Sequence, residues 1–430
     1  MEKIKVLHLL QNSLPLISGS TIRSKYIFKF QRDFCQPIVL TSFIFKNRKN
    51  GKDFEVIDKI PHYRINKHLS KLLRIWNKLI SGIINIIYKF LRININNEIL
   101  YLPVAYFTKQ YIKRLAKFYD VDIIHQHSHF EICKYSYDIA KKHDKPYVYE
   151  VRGFIEESML ANLNARKITN SKLIQFLYNK IKNQETKIIK KSDFVITLSD
   201  PMKDELIKRG IDKNKIELVP NSINPNHNHL KYNSNSLKRR EITLGFFGQL
   251  RWYEGLEVLL KAIPILKKRG LKVKLIIIGN SQGNYLNFLK KIVNRLGIFD
   301  NIEFLNSVPH EEIGYYYSLV DMIVIPRLDC GVCRLVSPLK PLDAMYHNVL
   351  VIASELPALR WNIEDGSTGV LFEPENSEDL AEKIFYYYNH IGKRREIESY
   401  AKGIVETKFT WKNNVLRYKG IYEKIYTRKS

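Results

Sequence analysis

Short apolar runs alternate with amphipathic stretches of ten or more residues, and they do so in two separate series. The first series is Ile4–Leu10, Ile38–Thr41, Asp122–His125, Tyr147–Val151, Phe194–Leu198 and Ile216–Val219. The second is Thr243–Phe247, Lys274–Ile278, Ile302–Leu305, Met322–Ile325, Val349–Ala353 and Val370–Phe372. Connections of that length join parallel strands, so each series predicts a doubly wound α/β sheet. Between them, Asn221–Arg240 (NSINPNHNHLKYNSNSLKRR) carries no apolar period and reads as a linker. The expected organisation is a first domain over 1–222, a linker over 223–240, a second domain over 241–405 and a terminal helix over 406–430. In that last stretch Trp411, Val415, Tyr418, Tyr422 and Ile425 recur at helical spacing. Ligands of such sheets bind at the carboxyl ends of the strands, which predicts a site in the cleft between the two domains.

Charge narrows the partners. The chain carries 70 Lys and Arg against 43 Asp and Glu, a net charge of +27. That balance favours anionic ligands such as phosphorylated substrates, nucleic acid or acidic lipid. No run of 18 apolar residues appears, and the apolar stretch Val6–Leu10 is too short for a signal peptide. A cytoplasmic location is expected. Four cysteines do not make a disulfide framework, which fits a reducing compartment. Cys330-Gly-Val-Cys333 stands alone, without the further ligands a structural zinc site needs.

The motifs lie mostly where strands end. The second half reads Gly245-Phe-Phe-Gly248-Gln-Leu-Arg251-Trp-Tyr-Glu254-Gly255, then Gly279-Asn-Ser-Gln-Gly283, then Asp321-Met-Ile-Val-Ile-Pro-Arg327. Ser337-Pro-Leu-Lys340-Pro-Leu-Asp343-Ala-Met345 and Asp365-Gly-Ser-Thr-Gly-Val-Leu-Phe372 follow. The first half has Ser18-Gly19-Ser20-Thr-Ile-Arg23, Asp122-Ile-Ile-His125-Gln-His127 and Glu150-Val-Arg152-Gly153. In order and spacing this set resembles the family-4 glycosyltransferases of GT-B fold, in the branch associated with exopolysaccharide and exosortase-linked loci. The resemblance covers nearly the whole chain outside Lys46–Phe107. It implies two Rossmann-like domains facing a cleft, with a C-terminal helix that can cross back. It also implies a retaining transfer of sugar from a nucleotide diphosphate sugar to a glycan or lipid-linked acceptor, in surface polysaccharide synthesis.

The chemistry gives these positions roles. The leaving diphosphate carries charge that backbone N–H groups and cations can stabilise. Gly248 suits a backbone entry, and Arg251, Arg327 and Lys340 are the candidate cations. The family's usual phosphate-binding Arg and Lys fall here at Gln249 and Glu254. Asp343 matches the acid that holds the ribose hydroxyls, as a carboxylate can accept from both. The companion acid, which meets the donor sugar, would fall at Leu335 and is absent. On the other domain, Gly19, Ser20 and Arg23 form a candidate acceptor or phosphate loop. His127 and Arg152 are candidate catalytic residues, with a purely structural histidine or an ion-paired arginine as the plainer alternatives. The alternating His125, His127 and His129 allow a metal, but no Cys or carboxylate pairs with them in sequence. No metal or cofactor is expected, the nucleotide sugar being a substrate.

One further segment stands out. Lys59–Asn97 contains no acidic residue, and about 67–92 alternates Lys and Arg with Leu, Ile and Trp at helical spacing. Lys71, Arg74, Trp76 and Lys78 lie in it, and it reads as an amphipathic helix for an anionic membrane surface. That places the protein peripherally on the inner face of the membrane; the alternative is a helix packed on its own domain. Two other readings remain open. One is a nucleic-acid-modifying GT-B protein, prompted by the charge, although no recognition motif appears and no nucleic-acid partner is expected. The other is a non-catalytic GT-B subunit, prompted by Gln249, Glu254 and Leu335.

Overall fold

The computed structural model describes residues 3–43, 45, 53–65, 68–76, 78–79, 82, 102–128, 130–165, 172–225, 241–281, 284–309 and 312–427. His129, most of the linker and the basic segment beyond 82 lie outside them, as does the side chain of Cys133.

The first sheet contains β1 (Ile4–Leu10), β2 (Cys35–Thr41), β3 (Phe54–Ile57), β4 (Ile60–Arg64), β5 (Ile123–His127), β6 (Tyr147–Glu150), β7 (Phe194–Thr197) and β8 (Ile216–Leu218). Their spatial order is β3-β4-β2-β1-β5-β6-β7-β8. The second sheet contains β9 (Glu241–Phe247), β10 (Lys272–Ile278), β11 (Ile302–Leu305), β12 (Met322–Ile325), β13 (Leu350–Ser354) and β14 (Val370–Phe372). It runs β11-β10-β9-β12-β13-β14, all parallel. These are two Rossmann-like sheets, and the chain has the GT-B architecture. Helices cover both faces, so the inner strands read as unbroken apolar runs. Every residue of β5 and β13 is buried.

Two strands were not expected. β3 and β4 form an antiparallel hairpin whose second arm pairs in parallel with β2. Its two-residue turn is Asp58-Lys59, both with positive φ (49° and 63°). A turn of that hand suits a tight hairpin, but Asp-Lys lacks the usual glycine. The hairpin also sits in the stretch where the resemblance lapses.

The chain end belongs to the first domain. Ile223 and Thr410 pair as a bridge, with Trp411 N–H donating to Ile223 O at 2.9 Å. The helix Leu416–Thr427 then buries Tyr418, Ile421, Tyr422 and Ile425 against Val6, Ile22, Val39 and Val148. In exchange, Leu335 and Val336 of the second domain pack on the core of the first.

Candidate functional site

The second domain gathers its charges under a pair of glycines. Gly248 and Gly279 follow β9 and β10 with φ of 155° and 158°. A Cβ on Gly279 would collide with the Gly248 carbonyl, and one on Gly248 with the Lys340 side chain. Glycine is therefore required at both positions. Lys340 Nζ lies 4.1 Å from the Phe246 ring centroid and donates to Glu254 Oε2 at 2.6 Å. Arg327, two residues past β12, donates to Val336 O at 2.8 Å and to Glu254 Oε1 at 3.3 Å. Burial alone would raise the Glu254 carboxyl, but Arg327 and Lys340 bring it down to about 2. It is a carboxylate at neutral pH, shared by two cations. Arg251 is turned onto Gln249 Oε1 (2.7 Å) and the Tyr253 hydroxyl (2.8 Å). Asp343 lies in the first turn of the helix Lys340–Tyr346, and burial pushes it up to about 7.

The first domain has a matching arrangement. Glu150 ends β6 and is fully buried. Its Oε1 accepts from Arg23 Nε and from Arg152 Nε, each at 2.8 Å. Its Oε2 accepts from the Tyr418 hydroxyl at 2.8 Å. Burial would raise this carboxyl too, yet Arg152 and Arg23 hold it well below the usual range. Arg152 also donates to Ser20 O (3.2 Å), Ser24 Oγ (2.6 Å) and His127 Nδ1 (2.6 Å). Behind it stand His8, His125 and His127 from the neighbouring strands β1 and β5. His8 Nδ1 and His127 Nε2 are 2.8 Å apart. Burial first, and charged or histidine neighbours second, hold all three rings well below their usual range, so they are neutral.

The two clusters face each other across the domain boundary. Gly19 lies against Leu339, and Gly153 against Val336. Asn221 accepts from Arg23 at 3.2 Å and donates to Ser337 O at 2.9 Å, three residues before Lys340.

Comparison with known proteins agrees with this architecture. Residues 231–403 match the domain family described as Glycosyl transferases group 1, and 83–227 match Glycosyltransferase Family 4. The two matches fall one on each domain, in keeping with the GT-B architecture. It is 26% identical over 241 residues to the uncharacterized glycosyltransferase MJ1607 of Methanocaldococcus jannaschii, covering 53% of this chain and 59% of that protein. It is 23% identical over 189 residues to the D-inositol 3-phosphate glycosyltransferase of Corynebacterium urealyticum, with 43% of each chain covered. The chain thus spans less than two thirds of the length of these curated relatives. Among solved structures, Anabaena Alr3699/HepE in complex with UDP and glucose superposes with a TM-score of 0.72 at 17% identity, covering 98% and 99% of the two chains. A glycosyltransferase from Rickettsia africae superposes with a TM-score of 0.69 at 18% identity, covering 98% of each.

The structure brings Gly248, Arg327 and Lys340 together, with Arg251 and Asp343 on the adjoining turns. Gly19 and Ser20 edge the cleft. Arg23 is corrected: it is 1% exposed, with its guanidinium spent on Glu150, Val219 O, Pro220 O, Asn221 and Tyr418. It is scaffold rather than part of an acceptor or phosphate loop. His127 is 3% exposed, with both ring nitrogens engaged by protein, so it stands behind Arg152 rather than on the cleft wall. Sequence reasoning missed Glu150 and Tyr418, and it counted Glu254 only as a departure. The signal for Glu150 was its spacing: in Glu150-Val-Arg152, positions i and i+2 of an extended chain share a face.

The histidine trio places three ring nitrogens within 4.8 Å of one another. Glu150 already balances two guanidiniums there, so a buried dication would add to an uncompensated positive charge. These residues do not fit a metal.

In the basic segment, 68–76 is helical. Leu73 is buried and Leu69 packs on the first-domain core, while Leu72, Ile75, Trp76 and Leu79 form an exposed stripe. Lys71 and Lys78 are exposed. Arg74 is corrected: it is half-buried and donates to Phe43 O at 2.9 Å, so it is not a headgroup contact. Among the described residues no helix is long and apolar enough to cross a membrane.

Proposed function

We propose that this protein moves a sugar, with retention, from a nucleotide diphosphate sugar to a glycan or lipid-linked acceptor in surface polysaccharide synthesis. The observation that carries the reading is Lys340 and Arg327 gathered around one carboxylate beneath Gly248. Two cations on one acid leave net positive charge where a diphosphate would lie, at the carboxyl ends of β9 and β12. Asp343 adjoins them as acceptor for the ribose diol. Arg152 is the cation on the acceptor side. No metal is assigned, because the cations present supply the charge. The test is calorimetric titration with a panel of nucleoside diphosphates, followed by hydrolysis of the matching nucleotide sugars without acceptor. Binding with slow hydrolysis supports the reading. Binding without turnover on any acceptor favours a non-catalytic subunit, and no binding at all removes the donor site.

A membrane-surface acceptor is supported by the stripe Leu72, Ile75, Trp76 and Leu79 beside Lys71 and Lys78, in a segment without acids. Each cation near anionic lipid contributes about 1 kcal/mol. Exchange of Lys71 and Lys78 for Glu is therefore expected to abolish co-sedimentation with anionic vesicles and to leave the thermal melt unchanged. Equal pelleting of both proteins would overturn the membrane assignment.

A further inference from the structure

We propose that Tyr418, on the terminal helix, is a positioning residue that sets the tautomer of His127 through Glu150 and thereby fixes the Arg152 guanidinium at the cleft. The inference rests on the reading of Arg152 as the acceptor-side cation.

Arg152 NH2 lies 2.6 Å from His127 Nδ1. A guanidinium can only donate, so Nδ1 must be bare and the ring proton must sit on Nε2. That proton is donated to His8 Nδ1, 2.8 Å away. Yet Glu150 Oε2 also approaches His127 Nδ1, at 3.3 Å. A carboxylate can only accept, and left to itself it would draw the ring proton onto Nδ1. Arg152 would then face a second donor and lose the contact. The Tyr418 hydroxyl tips the balance toward Arg152, because it donates to the same Oε2 at the shorter distance of 2.8 Å and makes that oxygen a weaker acceptor for the ring proton. Arg23 NH2, 3.1 Å from the Tyr418 oxygen, orients that hydroxyl by donating to it. The same helix also reaches His125, whose Nδ1 lies 2.7 Å from the Tyr422 hydroxyl.

The consequence falls on Arg152. Its Nε, NH1 and NH2 are pinned by Glu150, by Ser20 O with Ser24 Oγ, and by His127, so it has one orientation. A cation fixed before the reaction stabilises developing charge without reorganising. The terminal helix is thus a working part of the first domain's site, although it is almost 270 residues from Glu150 in sequence.

The test uses the full chain with Tyr418→Phe, which removes one hydroxyl and keeps the ring. Long-range 1H–15N spectra of histidine-labelled protein report the tautomer directly. The expected wild-type signal for His127, assigned with His127→Gln, is Nε2–H, shifting toward Nδ1–H in the variant. In transfer assays kcat is expected to fall on the order of tenfold, with KM for the nucleotide sugar unchanged. A merely structural tyrosine would change the melt and move neither readout. Because the tautomer is read without turnover, it stands even if the transferase reading fails. A wild-type His127 protonated on Nδ1, or an unchanged tautomer in a folded Tyr418→Phe protein, would overturn the proposal. Should Tyr418→Phe not fold, Tyr418→Met, which also lacks the hydroxyl, is read by the same two measurements with the same outcomes.

Discussion

Each domain places one carboxylate between two cations at the carboxyl edge of its sheet, and the two clusters differ in how much of their hydrogen-bonding capacity is used up. Around Glu150 the contacts are short, the acid is fully buried and Tyr418 completes it. Around Glu254 the arginine contacts stretch to 3.3–3.5 Å, and Lys340 keeps 16% of its side-chain surface. The first cluster is a closed network that holds Arg152 in one orientation. The second, which we propose as the diphosphate site, has both of its cations on Glu254. The bridge Arg23–Asn221–Ser337 ties them, so the rigid cluster anchors the segment that carries Lys340.

The largest test of that contrast is stability. Glu150→Ala leaves two buried guanidiniums without their anion, and an expected loss of about 3–5 kcal/mol follows. Glu254→Ala should cost less, roughly 1–2 kcal/mol, within the ordinary range for one substitution. Denaturant titration of both variants checks this, and equal losses would erase the distinction.

Ligand binding should rank the clusters the other way. Lys340→Ala is expected to weaken nucleoside diphosphate binding by about 1–3 kcal/mol, the scale of a charged hydrogen bond. Calorimetry would show it, and wild-type affinity would remove Lys340 from the donor site.

Acid should reproduce part of that loss. Burial holds Asp343 at about 7, above its ordinary value, so between those values the empty protein binds a proton there that the unfolded chain does not. A ribose diol needs the carboxylate, so binding must expel that proton. Affinity should fall by up to about tenfold per pH unit below 7 and level off above it. The dependence should shrink in Asp343→Asn, which separates it from titration of the phosphate itself.

The smallest effect has the least intuitive sign. If Glu254 competes with the ligand for Lys340 and Arg327, then Glu254→Gln should tighten nucleoside diphosphate binding, by roughly 1 kcal/mol. Weaker binding would mean that Glu254 orients Arg327 for the ligand instead of standing in for it.

Both sheets were legible because a buried parallel strand has to be a short apolar run with a long crossover after it. β1, β6, β7 and β9 to β14 satisfy that, whereas β5 turns to His125, Gln126 and His127 after Ile123-Ile124. The β3–β4 hairpin was not legible, since Asp58-Lys59 adopts positive φ without a glycine to announce it. Gly248, Arg327, Lys340 and Asp343 stand in ordered motifs at strand ends, and the fold brings them to one edge of the second sheet. What the motifs could not tell was which cations were already spent. Arg23 and Arg152 look alike in sequence, as do Arg74 and Lys78. Only the folded chain shows Arg23 closed in by Glu150 and Tyr418, and Arg74 bound to a backbone carbonyl. The physical reason is range. Backbone pairing and apolar period are written in neighbouring residues, so the sequence by itself determined the two sheets and their ligand edges. Whether a charge is free depends on partners brought from across the chain, and that only the tertiary structure decided.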